Sequence, residues 1–307
     1  MAKIQNPMNK TLIKIDGLYK IFGEGEQQAL TRLRQGADPA ELFTQYGCSV
    51  ALNNITLEIY RGEIFVIVGL SGSGKSTLLR TLNRLIIPSA GEVFFSGQPL
   101  SGLSAAALIQ LRRHEMGMVF QSFALLPRRS VLDNAAFGLE LAGIGTAQRH
   151  KQALAVLAQV GLEQVAGQLP HQLSGGMQQR VGLARALVVN PTLLLMDEAF
   201  SALDPINRRE MQELLLRLQA SQRRTVIFVT HDIEEALRIG NRIAIMQQGR
   251  VIQTGTAEQI VNAPANAYVR RFFAGVDTSR FVLAEDYAGA FSGQLTPPRE
   301  QPHDRNR

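Results

Sequence analysis

The chain contains four short apolar runs that lack polar alternation. They are IFVIV at 64–68 and the apolar parts of TLLLMDE at 192–198, TVIFVTHD at 225–232 and RIAIMQQG at 242–249. Runs of this kind are typical of strands that are buried on both faces. Segments with helical spacing separate them, for example NRREMQELLLRLQ before the third run. Strands that alternate with helices predict an α/β fold with a parallel sheet.

The N-terminal part and the middle of the chain have different patterns. TLIKIDGLYKIF at 11–22 predicts an opening strand, and VALNNITLEIYRGEIFVIV at 50–68 predicts two more. A polar stretch with helical character lies between them, from about Gly25 to Gly47. From Leu103 to Leu187 the pattern is mostly helical, so we expect this stretch to form an inserted helical subdomain.

A glycine-rich turn joins the first buried run to a helix. Gly69, Gly74, Lys75 and Ser76 match the phosphate-loop pattern, and the turn has the required strand before it and helix after it. Glycines let several backbone N–H groups converge on a polyphosphate, and the helix N-terminus adds its unpaired amides. A flexible Gly/Ser turn is the simpler alternative. The apolar face of the predicted helix consists of Leu78, Leu79, Leu82 and Leu85.

Composition narrows the class of protein. With 307 residues and 45% hydrophobic content, the chain can bury a full core, and no stretch approaches the roughly 18 apolar residues of a membrane-spanning helix. The single cysteine, Cys48, fits a reducing compartment. The net charge is +6, but the arginines are scattered without aromatic interleaving, so we expect solvated faces rather than a nucleic-acid surface. The polar, proline-containing tail at 292–307 is predicted to be disordered.

Two carboxylates follow the run at 193–196, where parallel sheets bind ligands. Asp197 is predicted to hold magnesium, and Glu198 to accept a proton from the attacking water or to orient it. A helix cap is the competing interpretation of this pair, but the phosphate loop favours the catalytic one. His231 follows another strand at the same edge and is predicted to contact the γ-phosphate. Gln121 follows a further short run and is predicted to reach magnesium or water.

A second anion-binding helix end occurs in LSGGMQQRVGLARAL at 173–187. Ser174, Gly175 and Gly176 open a helix whose apolar face includes Met177 and Val181. Because the chain already has a complete phosphate loop, this second end predicts a two-fold dimer. In such a dimer each copy closes on the nucleotide of the other.

The phosphate loop, LSGGMQQR, LLLMDE, SALD and VTHD occur in this order, and together they resemble the ATP-binding cassette superfamily over about residues 11–255. GLYKIFGE, the insertion before LNNITLEI, MVFQSFALLP, VLDNAAFGLELAGI and FFAGVD further resemble the ATPase subunits of glycine betaine/proline betaine importers. The resemblance implies an α/β P-loop NTPase (RecA-like) fold, with an antiparallel β subdomain and an inserted helical subdomain.

The resemblance also implies boundaries and partners. One ATP-binding domain is expected over 1–275, with a helical subdomain at about 103–190 and a family-type insertion at about 24–49; an extension follows at 276–307. Many relatives continue into CBS domains, and regulation through such domains is not expected here. The implied partners are a second copy of the chain, a membrane permease and, indirectly, an external solute-binding protein. The implied location is the cytoplasmic face of the membrane.

The implied substrate and cofactor are ATP and Mg²⁺. Ser76, Gln121 and Asp197 would hold the metal, and Glu198, His231 and Gln121 would serve hydrolysis. Phe22 would stack on adenine, although a core phenylalanine is a competing interpretation. The remaining implied site residues are Gly69, Ser71, Gly72, Ser73, Gly74, Lys75, Ser76 and Thr77 at the nucleotide, Leu173, Ser174, Gly175, Gly176 and Gln178 acting on the partner's nucleotide, and Ser201, Ala202, Leu203 and Asp204 at the dimer contact.

The function that follows is an ATP-hydrolysing motor for uptake of betaine- or choline-type solutes through separate permease subunits. Another osmolyte or an amino acid is an alternative substrate. A cassette ATPase that acts on nucleic acid or ribosomes is a second, weaker alternative, because such proteins typically join two cassettes in one chain or split one with a long coiled coil. This sequence has one contiguous cassette and neither feature.

Overall fold

A computed structural model describes residues 10–278 and contains two sheets. The tail that is predicted to be disordered lies outside the described residues. The strands are β1 (Thr11–Phe22), β2 (Ser49–Tyr60), β3 (Ile64–Val68), β4 (Ala90–Phe95), β5 (Gln98–Pro99), β6 (Met116–Val119), β7 (Leu193–Asp197), β8 (Thr225–Thr230), β9 (Arg242–Gln247) and β10 (Arg250–Gly255).

The larger sheet has six strands in the order β10-β9-β3-β8-β7-β6. The pairs from β9 to β6 are parallel, and β10 closes the edge as an antiparallel partner of β9. All four runs predicted as buried strands form this sheet, as β3, β7, β8 and β9. Every residue of β3, β7 and β8 is buried, as expected for strands covered on both faces.

The smaller sheet is antiparallel, in the order β2-β1-β4-β5. It contains the opening strand and the next one predicted from the sequence. Together the two sheets and their helices confirm the predicted α/β fold class with an antiparallel β subdomain.

Helices pack on the sheets, and two sets of them also pack on one another. Their bounds are α1 (Glu26–Arg34), α2 (Pro39–Tyr46), α3 (Lys75–Leu82), α4 (Ala105–His114), α5 (Val131–Leu141), α6 (Thr146–Gln159), α7 (Gly175–Leu187), α8 (Pro205–Gln222), α9 (Ile233–Ile239), α10 (Ala257–Asn262) and α11 (Ala267–Phe272). Helices α5, α6 and α7 pack on one another as the helical subdomain. Helices α1 and α2 form the stretch predicted between about Gly25 and Gly47.

The range 103–187 is less uniformly helical than its pattern predicts. It contains β6, which pairs with β7 in the six-stranded sheet, from Met116 against Leu193 to Val119 against Met196. Four residues carry too little periodicity to be told from a helical segment, and only the pairing with β7 identifies them as a strand.

The strands of the parallel sheet separate two hydrophobic cores by simple alternation. Ile64, Val66 and Val68 face the core that includes the helical subdomain. Phe65 and Ile67 face the core beneath the antiparallel sheet and α3. The same alternation holds along β7 and β8. A shift of one residue in any of these strands would exchange its two faces, so packing holds the strand ends in register.

Two details of the predicted helices differ from the structure. Leu85 lies after the end of α3 and is 54% exposed, whereas Leu78, Leu79 and Leu82 are fully buried. Helix α7 is buried over most of its circumference rather than on one face, because it packs between α5, α6, β6 and α8. Among residues 10–278, none of the helices has the length and hydropathy needed to cross a membrane.

The buried carboxyl group of Glu235 gives a test of this packing. Its side chain is 5% exposed and accepts a hydrogen bond from Gln212 Nε2 at 3.0 Å. Burial raises its pKa above the ordinary value. The native state therefore holds this proton more tightly than the unfolded chain does, and stability falls as the pH rises above the unfolded value.

We expect Glu235→Gln to raise the free energy of unfolding at pH 7 by about 1 kcal/mol, since the neutral amide keeps the shape and removes the buried charge. The difference should shrink toward pH 4, where the carboxyl group of Glu235 becomes protonated in the unfolded chain as well as in the native state. Denaturant unfolding at several pH values measures this. Glu234→Gln, at the adjacent exposed carboxylate, is the control. A destabilised Glu235→Gln protein at pH 7 would contradict the prediction.

Candidate functional site

The phosphate loop connects the carboxyl end of β3 to α3. Gly74 has φ +95°, and a Cβ atom there would lie 2.2 Å from the carbonyl oxygen of Ala51. At Gly69 a Cβ atom would lie 2.3 Å from the carbonyl oxygen of Met246. These two positions therefore require glycine for steric reasons. Helix α3 has no side-chain cap, so its N-terminal amides are free of side-chain acceptors from the capping position.

Lys75 is the buried cation of the loop. Its side chain is 4% exposed, and Nζ donates to the carbonyl oxygens of Gly69 at 2.8 Å and Leu70 at 3.0 Å. Burial lowers the pKa of Lys75, while the nearby carboxylates of Glu198 and Asp197 oppose that shift. The ammonium group thus lies between loop carbonyls and two acidic side chains, where it can contact the outer phosphates of a nucleotide.

Asp197 ends β7 and is in contact with α3 through both carboxylate oxygens. Ser76 Oγ donates to Oδ1 at 2.6 Å, and Arg80 Nη2 donates to Oδ2 at 3.1 Å. The Asp197 side chain is 6% exposed, and that of Arg80 is 48% exposed. Hydroxyl and carboxylate oxygens are the ligands that Mg²⁺ prefers, so the convergence of Ser76 and Asp197 fits the predicted metal site.

Glu198 lies between Lys75 and His231. Its Oε1 is 3.9 Å from Lys75 Nζ, and its Oε2 is 3.3 Å from His231 Nδ1. The backbone of Glu198 has φ +46°, a left-handed conformation that is uncommon outside glycine. Hydrogen bonds hold it there: the N–H donates to Val229, and Ser201 donates to its carbonyl oxygen. Backbone strain held in place by surrounding contacts is typical of functional sites.

The segment predicted as the dimer contact, Ser201 to Asp204, joins Glu198 to α8. Ser201 Oγ donates to the Glu198 carbonyl at 2.8 Å. Asp204 caps α8 by accepting from the N–H groups of Ile206 and Asn207, and the hydrogen bond from the Asn207 side chain lowers its pKa most. Ala202 lies between these residues, and Leu203 is buried beneath the turn.

The predicted signature segment forms the N-terminus of α7. Ser174 is exposed and caps the helix by accepting from Met177 N–H, and Gln178 Nε2 donates to the carbonyl of Leu173 at 3.1 Å. Gly175 is exposed, whereas Gly176 is buried. A Cβ atom at Gly176 would lie 2.6 Å from Asn207 Oδ1, so glycine allows α7 to approach α8. Within residues 10–278, no hydrogen bond or ion pair joins this segment to the phosphate loop.

Gln121 lies in the exposed turn after β6, at the same edge of the sheet as Asp197. The turn continues through Phe123 and Ala124, both with positive φ. Arg185 of α7 holds this turn by donating to their carbonyl oxygens at 3.0 and 2.6 Å. Burial lowers the pKa of Arg185. The turn is thus attached to the helix whose first residues form the signature segment.

The other predicted nucleotide residues lie around the loop and at the end of β1. Ser71 and Gly72 are exposed, Thr77 is partly exposed, and the buried Ser73 hydroxyl has no hydrogen-bond partner among the described residues. Phe22 ends β1 with 43% of its surface exposed, with Lys20 Nζ 5.1 Å from its ring centroid.

Sequence patterns did not identify several residues that support the site. Arg80 follows Ser76 by four residues, so helical spacing places both on one face and was the available signal. Asn207 and Arg185 carried no comparable signal, because each contacts a segment that is distant in sequence. Lys20 precedes Phe22 by two residues on β1, so strand alternation places both on one face and was the available signal.

Comparisons with known proteins agree with this geometry. The family described as "ABC transporter" matches residues 52–201. The glycine betaine/proline betaine transport system ATP-binding protein ProV of Escherichia coli (strain K12) is 55% identical over 276 residues, covering 90% of this chain and 69% of that protein. The glycine betaine/carnitine transport ATP-binding protein GbuA of Listeria monocytogenes is 50% identical over 89% of this chain and 69% of its own length.

A solved structure shares the fold. The dimeric structure of MJ0796, described as a bacterial ABC transporter cassette, superposes with a TM-score of 0.66 at 35% identity, covering 80% of this chain and 98% of that one. One conclusion follows from the family match, from the identity and coverage of the relatives, and from the arrangement of the phosphate loop, Asp197 and Glu198. The chain belongs to the ATP-binding cassette family of transporter ATPases.

Proposed function

We propose that this chain is the ATP-hydrolysing subunit of an importer for glycine betaine, proline betaine or a similar quaternary amine. The observation that carries the proposal is the identity of 50–55% to relatives named for betaine transport, over nine-tenths of the chain. The site geometry supports the ATPase part independently, because phosphate loop, metal-type carboxylate and catalytic-type carboxylate lie at one sheet edge. Another osmolyte or an amino acid is the alternative substrate.

In this proposal Lys75 and the N-terminal amides of α3 bind the phosphates of ATP. Ser76 and Asp197, joined in the structure by a 2.6 Å hydrogen bond, hold Mg²⁺ together with Gln121. Bound Mg²⁺ would neutralise phosphate charge. Ser71, Gly72, Ser73, Gly74 and Thr77 complete the loop around the phosphates, and Phe22 stacks on adenine.

Hydrolysis is assigned to Glu198, with His231 as its neighbour. Glu198 accepts the proton of the water that attacks the γ-phosphate, or orients that water. The 3.3 Å contact between its Nδ1 and Glu198 Oε2 allows His231 to hold the carboxylate in position. In this proposal His231 also contacts the γ-phosphate. The strained backbone of Glu198 supports this assignment, because such strain is typical of functional sites, and the carboxylate lies 3.9 Å from Lys75 Nζ.

The working unit in this proposal is a dimer of ATPase subunits. The N-terminus of α7, with Leu173, Ser174, Gly175, Gly176 and Gln178, acts on the nucleotide of the other subunit. Two features support it: Ser174 and Gly175 are exposed, and the adjacent α8 terminus exposes 73% of Ile206. Residues Ser201 to Asp204 would then lie at the contact between subunits, one hydrogen bond away from Glu198.

A groove beside the helical subdomain is the proposed docking surface for the permease. It has a volume of about 240 Å³ and lies between α4, β6, α5 and α7. Exposed Ile109 and Leu141 give it apolar walls, and Arg112, Arg113 and Arg185 give it positive charge. This lining fits an amphipathic permease helix that carries a carboxylate.

Asn134 supports the loop next to this groove. It is fully buried, accepts from Leu126 N–H, and donates to the carbonyls of Leu126, Arg129 and Ser130. Of the two arginines that precede α5 in this loop, Arg128 is exposed, whereas Arg129 pairs with Glu140 at 2.6 Å. In this proposal the permease holds the subunit at the cytoplasmic membrane surface. An external solute-binding protein delivers the substrate to the permease.

The first prediction of this proposal concerns Glu198. Glu198→Gln should retain ATP binding but lower turnover about a hundredfold or more, because the amide cannot take the proton of water. Dimers should accumulate with ATP, as measured by size-exclusion chromatography alongside a phosphate-release assay. Glu234→Gln, an exposed carboxylate on α9, is the matched control and should keep wild-type turnover. Near-normal turnover of Glu198→Gln would remove Glu198 from this role.

The second prediction concerns the shared site. A mixed dimer of one Lys75→Ala subunit and one Ser174→Arg subunit should retain activity well above either mutant homodimer. In a shared arrangement, one interface carries both lesions and the other carries neither. The dimer is isolated with two different affinity tags and crosslinked before the ATPase assay. Activity no higher than that of the homodimers would contradict the shared arrangement, since sites built from one chain would both be damaged.

The third prediction concerns permease docking. Leu141→Glu should lower recruitment to permease-containing membranes several-fold while ATP binding is unchanged, because it places a carboxylate on the apolar wall of the groove. Leu154→Glu, an exposed leucine of α6 outside the groove lining, is the matched control. Arg128→Glu tests the exposed charge without breaking the Arg129–Glu140 pair. Equal binding of wild type and Leu141→Glu would assign docking to another surface.

A further inference from the structure

The insertion between β1 and β2 has no part in the function proposed above, yet it is firmly attached to the end of β1. Ile21 is buried with residues of α1 and α2 in a third hydrophobic cluster, separate from the two cores of the parallel sheet. The cluster also includes Ala29, Leu30, Leu33, Leu42 and Cys48. Helix α1 therefore packs directly on the strand that ends at Phe22.

Glu26, the first residue of α1, makes the polar part of this attachment. Lys20 Nζ donates to Glu26 Oε1 at 3.2 Å, and Ser89 Oγ donates to the same oxygen. Ser89 Oγ in turn accepts from the Ile21 N–H at 2.8 Å. The hydrogen bond from Ser89 lowers the pKa of Glu26, so the carboxylate is charged at neutral pH. One insertion residue thus holds both the side chain of Lys20 and the backbone before Phe22.

Lys20 lies against the ring of Phe22, with Nζ 5.1 Å from the ring centroid. The Lys20 side chain is only 13% exposed, whereas Phe22 is 43% exposed. The ammonium group is therefore shielded from solvent, whereas part of the neighbouring ring remains accessible. The Lys20 ammonium group and the π-electrons of the Phe22 ring attract each other, and this attraction stabilises the position of the ring.

We infer that Lys20 and Glu26 are positioning residues of the base platform, through which the insertion sets how well Phe22 stacks on adenine. The inference rests on the proposed function, in which Phe22 is the stacking residue. The order of the layers is base, ring and ammonium, with Glu26 holding the ammonium. Lowering the electron density of the ring favours stacking of an electron-rich base on its outer face.

The test separates base binding from phosphate binding. Affinities are measured by calorimetry for ATP and for inorganic tripolyphosphate, which can use the phosphate loop but has no base. Lys20→Met and Glu26→Gln should each weaken ATP binding about three- to tenfold and leave tripolyphosphate binding unchanged. Phe22→Leu should weaken ATP binding about ten- to a hundredfold, again without affecting tripolyphosphate. Lys20→Arg should restore most of the ATP affinity.

The chain provides a matched control on the same strand. Lys14 Nζ lies 5.5 Å from the ring centroid of Phe94 and 3.6 Å from Asp16 Oδ2. Lys14→Met and Asp16→Asn remove the same two types of contact from β1, away from Phe22. Both variants should bind ATP and tripolyphosphate as the wild type does.

Each contrary result has a distinct meaning. If Phe22→Leu leaves the ratio of ATP to tripolyphosphate affinity unchanged, the stacking assignment is wrong and the inference falls with it. If Phe22→Leu lowers that ratio but Lys20→Met and Glu26→Gln do not, the stacking assignment stands and the inference alone is overturned. Equal losses for both ligands in Lys20→Met would also overturn it, because they indicate a general structural role.

Discussion

The buried ammonium group of Lys75 is the contact on which the rest of the site depends. It joins the loop carbonyls of Gly69 and Leu70 to the acidic residues at the end of β7. A buried lysine is costly unless it is paired, and here two carboxylates, Asp197 and Glu198, oppose the loss of its charge. Arg80 pairs with Asp197 from the exposed side of the site. The phosphate loop, Asp197 and Glu198 therefore form one electrostatic unit.

That unit exists because the strands end in register. Val68 pairs with Thr230, and Asp197 pairs with Val229, so three strands deliver their last residues to one line. The register is held by two cores of different composition on the two faces of the sheet. Since a one-residue slip would move each strand's side chains into the opposite core, packing far from the site determines its geometry.

From this edge, a continuous series of contacts leads to the segment proposed to act on a second subunit. Ser201 contacts the carbonyl of Glu198, Asp204 caps α8, and Asn207 lies against Gly176 at the start of α7. At the far end of α7, Arg185 holds the turn that follows Gln121. The surface proposed to contact a partner copy and the surface proposed to contact a permease are thus both attached to α7.

Local pattern determined much of this protein. The apolar runs at 64–68 and 193–196, the glycine-rich turn and the placement of Asp197 and Glu198 after a strand were sufficient to predict the α/β fold and that these residues lie at one edge of the sheet. These features depend on contacts within a few residues, or on the rule that parallel strands end at one edge, so sequence spacing records them. The exposed position of Leu85 and the strand β6 were missed, because a four-residue run and a helix end carry little periodicity.

Tertiary structure decided how the insertion and the supporting residues are used. Nothing in the sequence spacing places Lys20 and Ser89 around the carboxylate of Glu26, because Ser89 is 63 residues from Glu26. Likewise, Arg129 pairs with Glu140, eleven residues further along the chain, and no local spacing indicates that partner. Polar partners of this kind are chosen by the direction in which packed elements present their side chains. That direction follows from the cores beneath them, which no local pattern encodes.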